Sequence, residues 1–108
     1  MPDADAARTR LEGQLTELEG RLERIAADLA EPLAADSSEQ AVEMEDDAAL
    51  EGQAALITRE IASVRRALER IDEGTYGECV QCGNEIAAGR LEARPEAALC
   101  IECASRNG

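Results

Sequence analysis

The sequence contains no Phe and no Trp, and Tyr76 is its single aromatic residue in 108 positions. Aromatic side chains bury the most apolar surface per residue, so their scarcity argues against a thick globular core. The apolar residues are mostly Ala, Leu, Ile and Val, a composition that suits a pair of packed helices. A small chain with so thin a core usually needs a further source of stability, and a bound metal ion is one such source.

Lysine and histidine are also missing, and Arg supplies all 11 cationic residues against 24 acidic ones, for a net charge of −13. Proteins that bind nucleic acid do so mainly through basic surface, so we expect no direct sequence-specific contact with DNA or RNA. The chain has no His, no nucleophile beside a plausible base and no Gly-rich phosphate loop. We therefore expect that the protein is not an enzyme.

Long apolar runs are absent as well. The N-terminal residues lack the apolar stretch of a signal peptide, and no segment approaches the length of a membrane span. These features predict a cytoplasmic protein with no membrane association. Thiols stay reduced in that compartment, which favours metal binding over disulfides for the four cysteines.

Two heptad patterns indicate a mainly α fold. Large aliphatic residues recur at steps of four and three in two seams, which are Leu11, Leu15, Leu18, Leu22, Ile25 and Leu29, and then Leu50, Ala54, Ile57, Ile61, Val64, Leu68 and Ile71. Pro32 interrupts the first pattern and Gly74 follows the second. The spacing predicts helices over residues 5–31 and 37–72 in an antiparallel coiled-coil hairpin, residues 1–73, with a tip near 32–38. The hairpin favours a monomer, and the alternative is a dimeric coiled coil.

The remaining residues, 74–108, are predicted to form a small zinc-finger module. Cys79, Cys82, Cys100 and Cys103 have the spacing C-x₂-C-x₁₇-C-x₂-C, which is typical of a four-thiolate zinc site. Each C-x₂-C places two thiolates on one tight turn, and four thiolates leave no open position on a tetrahedral ion. We therefore expect one structural Zn²⁺. The alternatives are a disulfide pair and a redox switch in which oxidation releases the metal.

Within this module the chain resembles the DksA/TraR family of zinc-finger transcription regulators, and it is identified as a short member of that family. The resemblance rests on the motifs Gly74-Thr75-Tyr76-Gly77-Glu78-Cys79, Cys82-Gly83, Arg90-Leu91-Glu92-Ala93-Arg94-Pro95 and Leu99-Cys100-Ile101-Glu102-Cys103. It implies a bacterial regulator that binds RNA polymerase through the secondary channel, the pore by which nucleotides reach the active site. Initiation is then modulated by an acidic coiled-coil tip, without sequence-specific DNA binding.

The resemblance also implies particular partner-binding residues. The family tip motif Asp-x-x-Asp-x-Ala corresponds here to Asp36, Glu39 and Ala41, with Glu in place of the second Asp. Asp36 and Glu39 also have the spacing of a helix capping box, so the same residues have a structural interpretation. The segment from Glu31 to Glu51 has acidic residues and no Arg, as expected either of an acidic tip or of a solvated helix face.

Long family members complete a site for the alarmone ppGpp at the polymerase surface. Arg94 is retained from that site, whereas Glu60, Ser63 and Ala104 stand where basic or apolar residues are expected. The resemblance therefore implies a polymerase-proximal position for Arg94 and leaves the participation of ppGpp open. The alternative function is a zinc-stapled coiled-coil adaptor that binds another protein and responds to thiol oxidation.

Overall fold

The computed structural model describes the backbone of residues 3–30 and 37–107, and the side chains of residues 3–30 and 48–107. Four helices follow one another in these residues: α1 (Ala4–Ala30), α2 (Ser37–Glu73), α3 (Ala88–Ala93) and α4 (Ile101–Asn107). The described residues contain no named strand, and one isolated antiparallel bridge joins Glu78 to Glu85. The expected mainly helical fold is confirmed.

Helix α1 begins where the sequence provides a capping residue. The Asp3 carboxylate accepts a hydrogen bond from the Ala6 N–H at 3.1 Å, and the Asp3 carbonyl accepts one from the Ala7 N–H at 3.0 Å. An Asp at this position satisfies an N–H group that has no partner inside the helix, and its charge interacts favourably with the helix dipole. The helix therefore starts one residue before the predicted residue 5.

Helix α2 ends in a Schellman motif, as the glycine at position 74 predicts. Gly74 has a φ of +80°, its N–H donates to the Ile71 carbonyl at 3.2 Å, and the Thr75 N–H donates to the Arg70 carbonyl at 2.9 Å. This pair of bonds uses helix carbonyls that would otherwise lack partners. Glycine is suited to the position because it adopts positive φ without steric cost.

The chain divides into two compact units, Met1–Leu15 with Ala62–Gly108, and Thr16–Ile61. In the first unit the Arg8 guanidinium lies 2.7 Å from the Asp72 carboxylate, so the start of α1 lies beside the end of α2. Hydrogen bonding to Asp72 raises the pKa of Arg8. The core of this unit contains small and branched aliphatic side chains, namely Ala7, Leu11, Val64, Ala67, Ile86 and Leu91.

The second unit is built from the remaining parts of α1 and α2. Among its described side chains, the buried apolar ones are Leu18 and Ile25 from α1, and Ile57 and Ile61 from α2. All four belong to the predicted seams, so the heptad pattern identifies the residues that the helices bury here. Among the described residues, no helix combines the length and the hydropathy needed to cross a membrane.

Near the end of α2 the burial differs from the predicted seam. Ala67 and Arg70 are buried there, whereas Leu68 and Ile71 are only partly covered. The difference has a structural cause, because the Arg70 side chain lies against residues 96 and 97 of the cysteine-containing segment. A second packing partner thus covers a face of α2 that the heptad pattern does not mark.

Burial predicts that two leucines differ strongly in how much their replacement by Ala lowers the free energy of unfolding. Leu11 has no exposed surface, so Leu11→Ala leaves a cavity and should lower the free energy of unfolding by about 3 kcal/mol. Leu56 is 56% exposed, and Leu56→Ala should change it by less than about 0.5 kcal/mol. Urea denaturation followed by circular dichroism measures both values. Equal effects of the two substitutions would contradict this description of the core.

Candidate metal centre

The first two cysteines lie on a tight turn that the backbone stabilises. The Gly83 N–H donates to the Cys79 carbonyl at 2.9 Å, and the Cys79 N–H donates to the Asn84 carbonyl at 2.8 Å. Gly83 has a φ of +77°, which lets the chain reverse immediately after Cys82. The turn therefore directs both side chains of the C-x₂-C pair to one side.

The second pair lies where α4 begins. The Ala104 N–H donates to the Cys100 carbonyl at 2.9 Å, so Cys100 precedes the first helical turn and Cys103 lies within it. The Asn107 side-chain amide donates to the Gln81 side-chain oxygen at 2.8 Å, which joins the end of α4 to the first turn. The two cysteine pairs are thus held together by backbone and side-chain contacts.

All four sulfur atoms lie within 4.8 Å of one another, and the Cys82 and Cys100 sulfurs are 3.7 Å apart. Sulfurs bound at about 2.3 Å to a tetrahedral Zn²⁺ lie roughly 3.8 Å from each other. The thiols are free, and those of Cys79, Cys100 and Cys103 are buried. The donor set and its geometry therefore fit one four-coordinate zinc ion.

The thiols have unequal acidities. Backbone N–H groups, that of Cys100 first and then that of Cys82, lower the pKa of Cys79 to about 6. Burial, followed by interactions with the neighbouring sulfurs, raises the pKa of Cys103 to about 12. Four thiolates at this separation repel one another, and a divalent cation is the charge that stabilises all four together. The chemistry of the cluster thus agrees with its geometry.

In the segment that leads to Cys100, residues 95–99, every backbone carbonyl accepts a hydrogen bond. Five consecutive backbone carbonyls accept hydrogen bonds from donors elsewhere in the unit: Pro95 from Tyr76 Oη, Glu96 and Ala97 from Arg70 Nη2, Ala98 from the Val80 N–H, and Leu99 from Arg90 Nε. The distances range from 2.9 Å, for Val80 and Arg90, to 3.5 Å. We call residues 95–99 the presenting segment, because it places Cys100 beside the other cysteines.

The first residue of the presenting segment, Pro95, and the tyrosine that holds it, Tyr76, are both buried. Pro95 is among the most completely buried side chains, and Tyr76 is 9% exposed with its hydroxyl 3.0 Å from the Pro95 carbonyl. Burial raises the pKa of Tyr76, so the hydroxyl stays protonated and able to donate this hydrogen bond. The single aromatic residue of the chain therefore supports the metal centre.

The structure thus brings together the four predicted metal ligands. Arg94 lies at the end of α3 with a side chain 68% exposed, and its Nε is 3.5 Å from Glu96 Oε1. Asp36 lies outside the described residues, and Glu39 and Ala41 belong to α2 with side chains that also lie outside them. Their partner-binding role stays a prediction.

Sequence reasoning missed the side chains that hold the presenting segment, Arg70, Tyr76 and Arg90. Signals for two of them, Tyr76 and Arg70, are visible in retrospect. Tyr76 is the only aromatic residue and lies three positions before Cys79, and Arg70 lies one helical turn before Gly74, where α2 ends.

The fold and the site define a helical hairpin protein with a C-terminal four-cysteine zinc finger. Residues 74–107 match the prokaryotic dksA/traR C4-type zinc finger, and residues 8–71 match the DnaK suppressor protein-like N-terminal domain. Together the two matches extend over most of the chain and follow its order of elements. The chain therefore belongs to the DksA/TraR family, and its four clustered cysteines are positioned to hold the zinc ion of that finger.

Individual relatives agree with this assignment. The chain is 44% identical over 43 residues to the RNA polymerase-binding transcription factor DksA of Escherichia coli K12, which covers 40% of this chain and 28% of the relative. The corresponding protein of Caulobacter vibrioides NA1000 is 40% identical over 47 residues, or 44% of this chain and 33% of the relative. The aligned part is thus about a third or less of these relatives.

Solved structures match over nearly the whole chain. Transcription factor DksA2 from Pseudomonas aeruginosa superposes with a TM-score of 0.84 at 32% identity, covering 96% of this chain and 81% of that one. The DnaK suppressor protein from Agrobacterium tumefaciens C58 gives 0.70 at 34% identity, covering 98% and 95%. Both superpositions extend over nearly the whole of this chain, so the chain shares its fold with these two structures.

Metal removal should unfold the C-terminal module selectively. Because zinc stabilises the folded state of such small modules directly, a chelator should abolish the dispersed NMR signals of residues 74–107 and leave most of the α1 and α2 circular dichroism. Thermal melting that is unchanged after metal removal would contradict this expectation.

A matched pair of variants tests the ligand set. Purified protein should contain one zinc per chain, and Cys103→Ser should lower that content because a buried thiolate is lost. Ser105→Ala, an exposed substitution two positions away, should leave it unchanged. Metal analysis of the dialysed proteins reports both results, and full zinc occupancy in Cys103→Ser would remove that residue from the ligand set.

Proposed function

We propose that this protein is a bacterial transcription factor that binds RNA polymerase and modulates initiation. The observation that carries the proposal is the match of both parts of the chain, in order, to the family whose curated relatives are named RNA polymerase-binding transcription factors. The closely similar structure of a transcription factor, DksA2, supports the same role.

Charge favours a protein partner over a nucleic acid. The net charge is −13, and long-range repulsion by phosphates opposes association of so acidic a chain with DNA. A protein that acts at promoters without binding DNA needs a partner that does, and RNA polymerase is such a partner. We also propose that the protein is cytoplasmic, because its proposed partner is, and monomeric, because residues of both heptad seams are buried within a single chain.

The proposed mechanism assigns different roles to the acidic tip of the hairpin and to the zinc module. The hairpin enters the secondary channel, and Asp36, Glu39 and Ala41 act at its tip. Acidic residues without any Arg between positions 31 and 51 support an electrostatic action of this segment, and they are Glu31, Asp36, Glu39, Glu43, Glu45, Asp46, Asp47 and Glu51. The zinc module, residues 74–108, stabilises the base and presents Arg94 to the polymerase.

The tip is tested by removing charge without changing side-chain size. Asp36→Asn with Glu39→Gln should abolish the effect on the lifetime of promoter complexes, because the two carboxylates provide the charge that acts there. Binding to RNA polymerase should persist, since the rest of the hairpin and the zinc module supply the docking contacts. Promoter-complex decay and a pull-down with core polymerase measure the two properties separately.

The control is Glu17→Gln with Glu23→Gln, two exposed residues of α1 whose replacement makes the same change in net charge. This variant should behave like the unmodified protein in both assays. Loss of polymerase binding in the tip variant would mean that the tip is an anchor and would overturn the mechanism. Failure of the unmodified chain to bind polymerase would favour the adaptor function, and transcription with and without ppGpp measures any contribution of that nucleotide.

A further inference from the structure

We infer that Arg70 is a positioning residue for the zinc site, which makes metal binding and the last turn of α2 a single cooperative unit. The inference starts from the unusual placement of this side chain. Arg70 is 9% exposed and is the buried charged residue among the described side chains, although it belongs to a helix whose other arginines lie at the surface. A buried guanidinium requires hydrogen-bond acceptors to compensate for the water it has lost.

The acceptors of Arg70 belong to the presenting segment. Its Nη2 lies 3.4 Å from the Glu96 carbonyl oxygen and 3.5 Å from that of Ala97, four and three residues before Cys100. Burial, and next the neighbouring Arg66, lower the pKa of Arg70, as expected of a desolvated cation. Hydrogen bonds from a charged donor are stronger than neutral ones, so these two long contacts still restrict the segment.

The backbone of Arg70 takes part in a different structure. Its carbonyl accepts the Thr75 N–H at 2.9 Å and lies 3.5 Å from the Thr75 hydroxyl, within the motif that ends α2. Arg70 therefore connects two structures. Its backbone belongs to the last turn of α2, and its side chain binds the segment that precedes the metal ligand Cys100. The other side-chain donors to the presenting segment, Tyr76 and Arg90, lie outside α2 and do not make this connection.

The direction of the coupling follows from the metal. Zinc fixes the Cys100 end of the presenting segment, and the segment then offers Arg70 its acceptors. When the metal leaves, the segment loses its fixed end and Arg70 can exchange the two carbonyls for water. Arg70 therefore stabilises the zinc-bound form specifically, and its contribution disappears in the metal-free protein.

The test compares Arg70→Met with Arg59→Met, an exposed arginine of the same helix whose loss makes the same change in net charge. Methionine keeps an unbranched, apolar stem and removes the donors. In a competition titration with a chromophoric chelator, Arg70→Met should bind zinc about tenfold more weakly than the unmodified chain, because charge-assisted hydrogen bonds are lost. Arg59→Met should bind it equally well, and unchanged zinc affinity in Arg70→Met would overturn the inference.

A second readout separates positioning from simple packing. The metal-free forms of the unmodified chain and of Arg70→Met should melt at the same temperature, because the side chain contributes nothing once the presenting segment is released. Only the zinc-bound forms should differ. Equal destabilisation of the metal-free and the zinc-bound forms would show that Arg70 acts on helix packing alone, and this result would refute the coupling.

The unmodified chain provides a test that does not depend on a variant folding. Amide hydrogen exchange should become faster in the last turn of α2, residues 70–73, when a chelator removes zinc, whereas amides near Ile57 should keep their protection. Protection of this last turn that is independent of zinc would overturn the inference. None of these three experiments involves RNA polymerase, so their results stand apart from the proposed function.

Discussion

Four thiols within 4.8 Å of one another form the constraint on which the C-terminal part of the molecule depends. Their separations fit a tetrahedral metal site, and a divalent cation would offset the mutual repulsion of four thiolates held this close together. The two pairs are separated by 17 residues in sequence, so the intervening chain must be folded before all four can meet. The row of satisfied carbonyls in the presenting segment is the means by which the chain achieves this.

Polar contacts replace the aromatic core that the composition does not provide. The buried aliphatic residues are small or branched, and the only aromatic ring uses its hydroxyl to hold the Pro95 carbonyl. Arg70 and Arg90 donate hydrogen bonds to the neighbouring carbonyls of Glu96 and Leu99. Arginine suits this task because its planar guanidinium offers several donors and is more weakly hydrated than the ammonium group of lysine. A chain whose cations are all arginine can therefore build a compact module from backbone acceptors.

Much of this structure is predictable because it follows local rules. Heptad spacing, Pro32 and Gly74 locate the helices to within a residue at the described ends, and the C-x₂-C spacing identifies the four cysteines that the structure brings together. The burial of Ala67 and Arg70 is not predictable in this way, since periodicity marks the faces that can be buried and does not show what covers them. The presenting segment has no periodic pattern, and its partners are 9 to 27 residues away in sequence. The tip residues stay predictions.

The energies involved suggest how zinc relates to function. Structural zinc sites contribute roughly 10–16 kcal/mol of apparent binding free energy, comparable with the whole stability of a small domain at about 5–15 kcal/mol. A module stabilised on this scale is either fully assembled or unfolded, so small changes in available zinc have little effect on it. In the proposed function, graded control of transcription is better supplied by exposed charges, whose effects depend on a partner and on salt. Zinc would determine whether the module exists, and the acidic segment would determine what the protein does.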